Sequence, residues 1–498
     1  MASKKSFDFL KLGSSTFYTM ILGVISNLIL MKFLSLNEFG IIAQVYMGVN
    51  VFSLFSYGFT TTANLEVPKF RIENKTEDLR EVITSTFIMA YLFTLPIAGA
   101  YIALKYFQYG CTTQEWVTFI SFFALLFLRQ TQVCLTNIYL RGWKLFSQMS
   151  SAQWISYTLH YSVLIVVAMY FHFYYVLFAL LTHRILFCIY VFFHIDFLSL
   201  KKVSKRMWSS MFKKSSPLFF NELVTTMESQ ANQIVITFGM SQVLAQKTMA
   251  LYHNGLKVQE VLMRISSVTY AIFMVNLREF ITEKKSKPLL LTEVNKYTQM
   301  LSAYVPWLCV CGIMTYQLVT MLLLDKEYEQ SFIALKCLSW ASAIMVTTIF
   351  YTIFLNAIEH LWVNSFSNII ATITMITFTF ILIKEGKSIS WVGFYTCIIT
   401  AFHYAFVVIY SCLICKKGYY FCLVQSIRIF TPCIILAFAE YGLWKNYPVT
   451  ADMNGISILM QQLFLMTIFS LIITFVFNRK GFFLGLEKFK LKYWKKKE

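Results

Sequence analysis

Four ionisable side chains interrupt an apolar stretch in the middle of the chain, and their spacing is that of a helix. They are His253, Lys257, Glu260 and Arg264, separated by four, three and four residues. Such spacing puts them on one helical face, where Lys257 and Arg264 are both neighbours of Glu260. Because two cations share one anion, positive charge is left over, which suits a phosphate or another anion. The face therefore predicts either an anion site in a wet cavity or a structural network confined to one helix.

A second polar face precedes it on the neighbouring apolar stretch. It comprises Asn221, Thr225, Glu228 and Asn232, flanked by Glu222, Thr226, Ser229 and Gln233. Lipid would not tolerate such a face, so we expect it to point into the protein. Glu222, Glu228 and Glu260 are our candidates for a carboxylate coupled to a cation, H⁺ or Na⁺. Alternatively, Glu222 and Glu228 only neutralise the positive charges of the following helix.

The first half of the chain carries two deep arginines, Arg129 and Arg184, with Gln130 and Gln132 beside the first. Each arginine either faces a cavity or anchors two helices to each other. We predict that the substrate-binding residues are Lys257, Arg264, Arg129, Arg184, His253 and Asn232. Lys336 and Glu359 lie near predicted helix ends, where we expect them to reach the membrane interface.

The residue patterns of enzymes and ATP-driven pumps are missing from the sequence. The seven His are dispersed without an HExxH pair, and no GxxxxGK[ST] phosphate loop occurs. The 11 Cys are scattered, mostly inside apolar stretches, as small packing residues would be. We therefore predict no catalytic residue, no metal site and no cofactor, and a protein that is not an enzyme.

The elements that carry these residues are apolar stretches of membrane-spanning length. The chain is 58% hydrophobic and only 13% charged, with a mean hydropathy of +0.62. About 20 apolar residues in a helix cross the roughly 30 Å of bilayer hydrocarbon. We predict about fourteen transmembrane helices, at approximately 12–35, 39–66, 82–105, 115–140, 148–170, 173–197, 217–239, 248–275, 294–324, 331–355, 362–383, 390–415, 429–447 and 455–477.

Positive charge is concentrated in alternate gaps between these stretches. Of 43 Lys and Arg, only seven fall on the side opposite the termini: Lys32, Lys105, Lys247, Lys326, Lys384, Lys387 and Lys445. By the positive-inside rule, both termini are cytoplasmic and the number of helices is even. The net charge of +19 then reflects topology and attraction to anionic membrane lipids, and no nucleic-acid partner is expected.

Landmarks repeat across a basic gap at 198–216, which divides the first six helices from the rest. The corresponding pairs are Ser14-Ser15 with Ser215-Ser216, Pro96 with Pro306, and Asn137 with Asn356. Six helices per copy is an even number, so the two copies are parallel repeats. We predict a six-helix lobe at 1–197, a linker at 198–216, a second lobe at 217–415, two added helices within 416–477 and a basic cytoplasmic tail at 478–498. Each proline should kink its helix, as a static bend or as a flexing point.

The first hairpin resembles a known family. After the entry Leu12-Gly13-Ser14-Ser15 and an apolar helix comes Leu34-Ser35-Leu36-Asn37-Glu38-Phe39-Gly40, which is similar to the LS-x-x-E-[FY]-G turn of the Wzx-type polysaccharide flippases. These belong to the multidrug/oligosaccharidyl-lipid/polysaccharide (MOP) exporter superfamily. By topology the resemblance covers nearly the whole chain. The first helix has no cationic residue between Lys11 and Lys32, which favours the oligosaccharide branch over the lipid II flippases.

The resemblance implies two six-helix lobes around a cationic cavity. It also implies cation-coupled movement of an undecaprenyl-diphosphate-linked oligosaccharide between leaflets of a bacterial inner membrane. Expected partners are that lipid, membrane lipids, and polysaccharide polymerase and chain-length proteins. A cation-coupled drug antiporter of the MATE kind and a non-transporting scaffold for polysaccharide synthesis are the alternatives.

Overall fold

The computed structural model describes residues 2–56, 58–109, 112–143, 145–264, 287–358, 360–446 and 453–494, and these are helical nearly throughout. The all-α prediction is therefore confirmed. The helices are α1 Ala2–Phe33, α2 Leu36–Phe52, α3 Phe59–Ile72, α4 Thr76–Leu92, α5 Thr94–Tyr109, α6 Thr113–Leu135, α7 Phe146–Tyr170, α8 Phe173–Ala179, α9 Thr182–His194, α10 Lys205–Gly239, α11 Gln242–Gly255, α12 at 257–264, α13 Lys287–Leu323, α14 Phe332–Ala357, α15 Leu361–Lys384, α16 Ile389–Ile414, α17 Tyr419–Asn446 and α18 Met453–Trp494.

Helix starts follow the local sequence. Ser35 accepts a hydrogen bond from the backbone N–H of Glu38, whose carboxylate accepts one from the Ser35 backbone N–H at 2.9 Å. Thr112 and Glu115 form the same capping box at the start of α6. Each box satisfies backbone donors that a helix leaves unpaired at its first turn. In the LSLNEFG turn, Ser35 and Glu38 therefore cap the start of α2.

Twelve of the described helical segments are long and apolar enough to cross a membrane. The predicted spans missing from that set are 217–239 and 248–275. The first lies within α10, which has 35 residues and a length of about 52 Å, but its polar face lowers its hydropathy. The second extends into residues 265–286, outside the described residues. These two spans carry the two polar faces, Asn221 to Gln233 in the first span and His253 to Arg264 in the second.

Several predicted spans are broken. Span 39–66 divides into α2 and α3 at a 3₁₀ turn, Ser53–Ser56, followed by Gly58 with φ +68°. A residue with positive φ ends a right-handed helix, and glycine adopts it without steric cost. Span 82–105 breaks at Phe93, so Pro96 lies in the first turn of α5, where its missing N–H is tolerated. Pro306, in contrast, lies within the continuous helix α13.

The chain forms two compact units, unit 1 at Met1–Ala250 and unit 2 at Leu251–Glu498. Unit 1 therefore includes α10, although most of this helix falls within the predicted second lobe, 217–415. The basic segment 198–216 is a linker only as far as Ser204, because this serine caps α10 and also donates to Glu81 of α4 at 2.6 Å. Farther along, Lys214 pairs with Glu66 of α3 at 2.6 Å. These contacts hold the start of α10 against α3 and α4.

Unit 2 is built around α13, which packs against α14, α17 and α18. The Thr474 hydroxyl of α18 donates to the Ala303 carbonyl at 3.0 Å, and the Asn478 amide donates to Ser302 Oγ at 2.8 Å. The two helices predicted as an addition thus pack against α13. The division into six, six and two helices stays a prediction about repeats.

Candidate functional site

Unit 1 contains a polar cavity of about 360 Å³. Most of its lining side chains carry an amide, a hydroxyl or a charge, and they come from the α2–α3 break, from α6 and from α10. The lining residues are Asn50, Ser53, Leu54, Ser56, Thr60, Thr61, Arg129, Gln130, Val133, Asn137, Glu222, Thr226, Ser229 and Gln230.

Arg129 is the cationic group of this cavity. Its Nη1 donates to Asn50 Oδ1 at 2.7 Å, while its Nε–H is buried and has no hydrogen-bond partner. Among the described residues, no carboxylate lies within ion-pairing distance of this guanidinium. A partly buried cation without a counter-ion is costly in the membrane and favours an incoming polar or anionic group. Arg129 thus lies at the polar cavity, and its role in substrate binding stays a prediction.

Gln130, which follows Arg129, holds the break between α2 and α3. Its Nε2 donates to the backbone carbonyl of Ser53 at 3.0 Å and to Thr94 Oγ1 at 3.3 Å. The side chain is 1% exposed. A carbonyl freed by a helix break at membrane depth needs such a donor, since lipid supplies none. Gln130 therefore fixes the turn that brings Ser53 and Ser56 to the cavity.

The cavity face of α10 is formed by Glu222, Thr226, Ser229 and Gln230. Glu222 accepts a short hydrogen bond from the Thr61 hydroxyl of α3, and Gln230 Oε1 is buried without a donor. These lining residues belong to the flank of the predicted polar face, because Glu228 and Asn232 are not among them. Asn232 is buried, with 3% of its surface exposed. The structure thus brings Glu222 and Arg129 to one cavity and places Glu228 and Asn232 elsewhere on α10.

Arg184 is bound in a different set of contacts. Its Nη1 donates to Gln132 Oε1 at 2.9 Å, and the Gln132 amide lies 3.1 Å from His183 Nε2. His183 in turn contacts Ser156 Oγ at 3.1 Å and stacks on Tyr157. These residues join α6, α7 and α9. The observed contacts of Arg184 are those of a residue that anchors helices to each other, the second of the two predicted alternatives.

The charged face formed by His253, Lys257, Glu260 and Arg264 belongs to unit 2. Lys257 Nζ lies 2.7 Å from His253 Nε2 and donates to both oxygens of Glu260, at 3.3 and 3.2 Å. The Lys257 side chain is 3% exposed, whereas that of Glu260 is 47% exposed and the Arg264 side chain is also exposed. A turn at Leu256 separates α11 from α12 without disturbing this spacing. The buried ammonium thus lies next to an open carboxylate.

No three His, Cys, Asp or Glu side chains in the described part of the chain are arranged to hold a metal ion. The comparison with family models gives a match over residues 29–333, more than half of the chain, to a family described as "Polysaccharide biosynthesis protein". The chain belongs to this family. No curated protein matches the sequence significantly.

Solved structures show which fold this polysaccharide biosynthesis protein has. One similar structure is the lipid II flippase MurJ in an inward closed conformation, with a TM-score of 0.60, 15% identity and coverage of 94% of this chain and 98% of the other. A multidrug resistance MATE family transporter of the MOP superfamily, facing inward, gives 0.56 and 11% identity over 83% and 96%. A MATE protein in a bent conformation gives 0.50 and 12% over 86% and 96%. The fold is that of the MOP superfamily, and the protein is a multi-pass membrane protein.

Sequence reasoning missed one buried charge, Glu440 of α17. It lies 3.5 Å from Lys336 Nζ of α14 and accepts a hydrogen bond from Trp340 Nε1 at 2.8 Å. Lys336 is 9% exposed and also lies 4.9 Å from the Trp444 ring, so our interfacial placement of Lys336 is wrong. The sequence did offer a signal for Lys336 and Glu440. A tryptophan follows each charged residue by four positions, Trp340 after Lys336 and Trp444 after Glu440. Glu359 lies outside the described residues.

Proposed function

We propose that this protein is a flippase for undecaprenyl-diphosphate-linked oligosaccharide repeat units. It moves them by alternating access from the cytoplasmic to the outer leaflet of a bacterial inner membrane, for O-antigen- or capsule-type polysaccharide. The observation that carries the proposal is the family match over 29–333 on a chain with the MOP fold. A polysaccharide biosynthesis protein with a transporter fold has a lipid-linked sugar intermediate as its natural cargo.

The residues of unit 2 support a role for the diphosphate. We assign Lys257, Arg264 and His253 to the headgroup, because Lys257 and Arg264 supply positive charge and His253 lies against the Lys257 ammonium. The carboxylate of Glu260 is open, so a diphosphate competes with it for Lys257. Since charged hydrogen bonds to phosphate oxygens are among the stronger polar contacts, this exchange is a physically reasonable binding step.

Coupling to H⁺ or Na⁺ is assigned to a carboxylate, for which Glu222, Glu228 and Glu260 are the candidates. Glu222 has the strongest support, because it reaches a polar cavity and is held by Thr61. The distribution of Lys and Arg supports cytoplasmic termini. The protein would hand its cargo to a polymerase and chain-length proteins on the outer face.

A drug antiporter driven by H⁺ or Na⁺ is the second candidate. The same Glu222 favours it, since a carboxylate in a polar cavity is what a cation-coupled antiporter requires. The antiporter has less support, because the family match is to polysaccharide biosynthesis proteins. A non-transporting scaffold has no use for Arg129, a cation lacking a carboxylate partner among the described residues.

Deletion of the gene tests the proposal. We expect loss of surface polysaccharide together with accumulation of lipid-linked repeat units on the cytoplasmic side, measured by glycan staining and by mass spectrometry of extracted lipids. Unchanged surface polysaccharide with raised sensitivity to cationic drugs would instead identify the antiporter. Unchanged lipid-linked intermediates with lost polysaccharide would identify the scaffold.

A further inference from the structure

We propose that the polar cavity of unit 1 binds the saccharide portion of the cargo through its hydroxyl groups and does not bind the diphosphate. The inference rests on the proposed function and names the ligand chemistry of this cavity. It assigns Arg129, which the sequence predicts only as a substrate-binding residue, to the sugar.

The cavity contains both a hydrogen-bond donor and an acceptor that have no partner among the described residues. Arg129 Nε–H is a buried donor without an acceptor, and Gln230 Oε1 is a buried acceptor without a donor. Both residues line the cavity. A sugar hydroxyl donates and accepts, so adjacent hydroxyls satisfy both groups. A diphosphate offers acceptor oxygens only and would leave Gln230 Oε1 unsatisfied.

The charges of the cavity lead to the same choice. Glu222 lines it together with Arg129, so the two opposite charges leave no excess positive potential for a dianion. A carboxylate bound by the Thr61 hydroxyl still has acceptor capacity for a sugar hydroxyl. Phosphate oxygens, in contrast, would meet a like charge. The diphosphate is assigned instead to Lys257 and Arg264 of unit 2.

The lining of the cavity suits a sugar better than the lipid chain. Of the described lining residues, twelve have a polar side chain and two, Leu54 and Val133, are apolar. A volume of about 360 Å³ is near the lower end of the roughly 300–1,000 Å³ that small-ligand pockets span, so it takes part of an oligosaccharide. The Gln130 bonds to Ser53 and Thr94 fix the turn before a ligand arrives, which reduces the ordering that binding requires.

The test compares two ligands on the purified full-length protein in detergent micelles: undecaprenyl diphosphate, and the undecaprenyl-diphosphate-linked repeat unit extracted from the deletion strain. The variants are Gln230→Leu and Glu222→Gln, with Thr225→Val as the matched control on α10, because Thr225 is exposed and is not a lining residue. We expect Gln230→Leu to weaken binding of the sugar-bearing lipid by about 5- to 10-fold, the value of one or two neutral hydrogen bonds. Binding of undecaprenyl diphosphate should not change, and Thr225→Val should alter neither.

Three other results are decisive. Equal weakening of both lipids by Gln230→Leu would overturn the saccharide site while leaving the flippase intact. Tighter binding of both lipids by Glu222→Gln would show that this cavity is an anion site, because both lipids carry the diphosphate. Wild-type protein that binds neither lipid would contradict the proposed function itself, and the saccharide site with it.

Discussion

In unit 1 the polar groups of α6 and α10 line a cavity beside interrupted helices, whereas in unit 2 the buried charges of α14 and α17 are paired across continuous helices. Arg129 has no carboxylate within ion-pairing distance among the described residues, whereas Glu440 lies 3.5 Å from Lys336 Nζ and accepts a hydrogen bond from Trp340. Both arrangements place charged groups within helices that are long and apolar enough to cross a membrane, where an unpaired charge is costly. The comparison indicates that unit 1 keeps polar groups available to a ligand and that unit 2 uses Lys336 and Glu440 to hold helices together.

The backbone accounts for part of the difference. Between α2 and α3, a 3₁₀ turn and Gly58 end one helix and start the next, and Gln130 satisfies the Ser53 carbonyl. A break of this kind turns several short polar side chains toward one space. The helices α14 and α17 have no such break, and Lys336 and Glu440 pair across the two helices.

The largest effect should come from breaking the buried pair of unit 2. Glu440→Ala leaves the Lys336 ammonium buried without its counter-ion, which costs about 3–5 kcal/mol, so we expect little folded protein. The double variant Lys336→Met/Glu440→Leu removes both charges and should restore most of the yield. Size-exclusion chromatography of solubilised membranes measures this, with Lys387→Met, an exposed lysine of the same unit, as the control. Normal yield from Glu440→Ala would refute the structural role of the pair.

The second prediction concerns Lys257 and Arg264. We expect Lys257→Ala and Arg264→Ala to reduce transport by tenfold or more, with normal protein in the membrane, because the partner carboxylate Glu260 is open and is not left stranded. Surface polysaccharide and immunoblots of membranes provide the two readouts. Full surface polysaccharide in both variants would contradict the headgroup assignment. Loss of the protein from the membrane would instead indicate that Lys257 and Arg264 stabilise the fold, as Lys336 and Glu440 do.

A smaller effect is expected at Gln130. Gln130→Leu leaves the Ser53 carbonyl and the Thr94 hydroxyl without this donor, which costs about 1–3 kcal/mol. We expect a lower melting temperature in detergent together with weaker binding of the sugar-bearing lipid. The conservative variant Gln130→Glu does not restore the donor and serves as the comparison. An unchanged melting temperature would show that the break needs no support from α6.

The smallest effect should be at Gly58. Its φ of +68° makes Gly58→Ala unfavourable by about 1–2 kcal/mol, and the added Cβ would lie 2.9 Å from the Phe219 nitrogen of α10. Gly386, which has φ +66° with open space around it, is the matched control in unit 2. Gly58→Ala should lower the melting temperature more than Gly386→Ala. Equal shifts would mean that contact between the α2–α3 break and α10 adds nothing.

Much of this architecture follows from the sequence alone. Apolar length and charge asymmetry predict a helical membrane protein, and the polar spacing on α6 and α10 points to Arg129 and Glu222. The breaks could not be predicted, because Gly58 and Phe93 lie within stretches whose hydropathy continues across them. The Lys336–Glu440 pair could not be predicted either, since the two residues are about one hundred positions apart in the chain and meet only through helix packing.

Reconstitution tests the central claim most directly. The purified protein is placed in vesicles whose inner leaflet carries the lipid-linked repeat unit, and exposure of the sugar to an external lectin is followed in time. We predict that lectin binding rises with the amount of protein and falls to the protein-free level for Lys257→Ala. Lectin binding that stays at the protein-free level for the wild type, across gradients of H⁺ and Na⁺ in both directions, would contradict the assignment of this protein as a flippase.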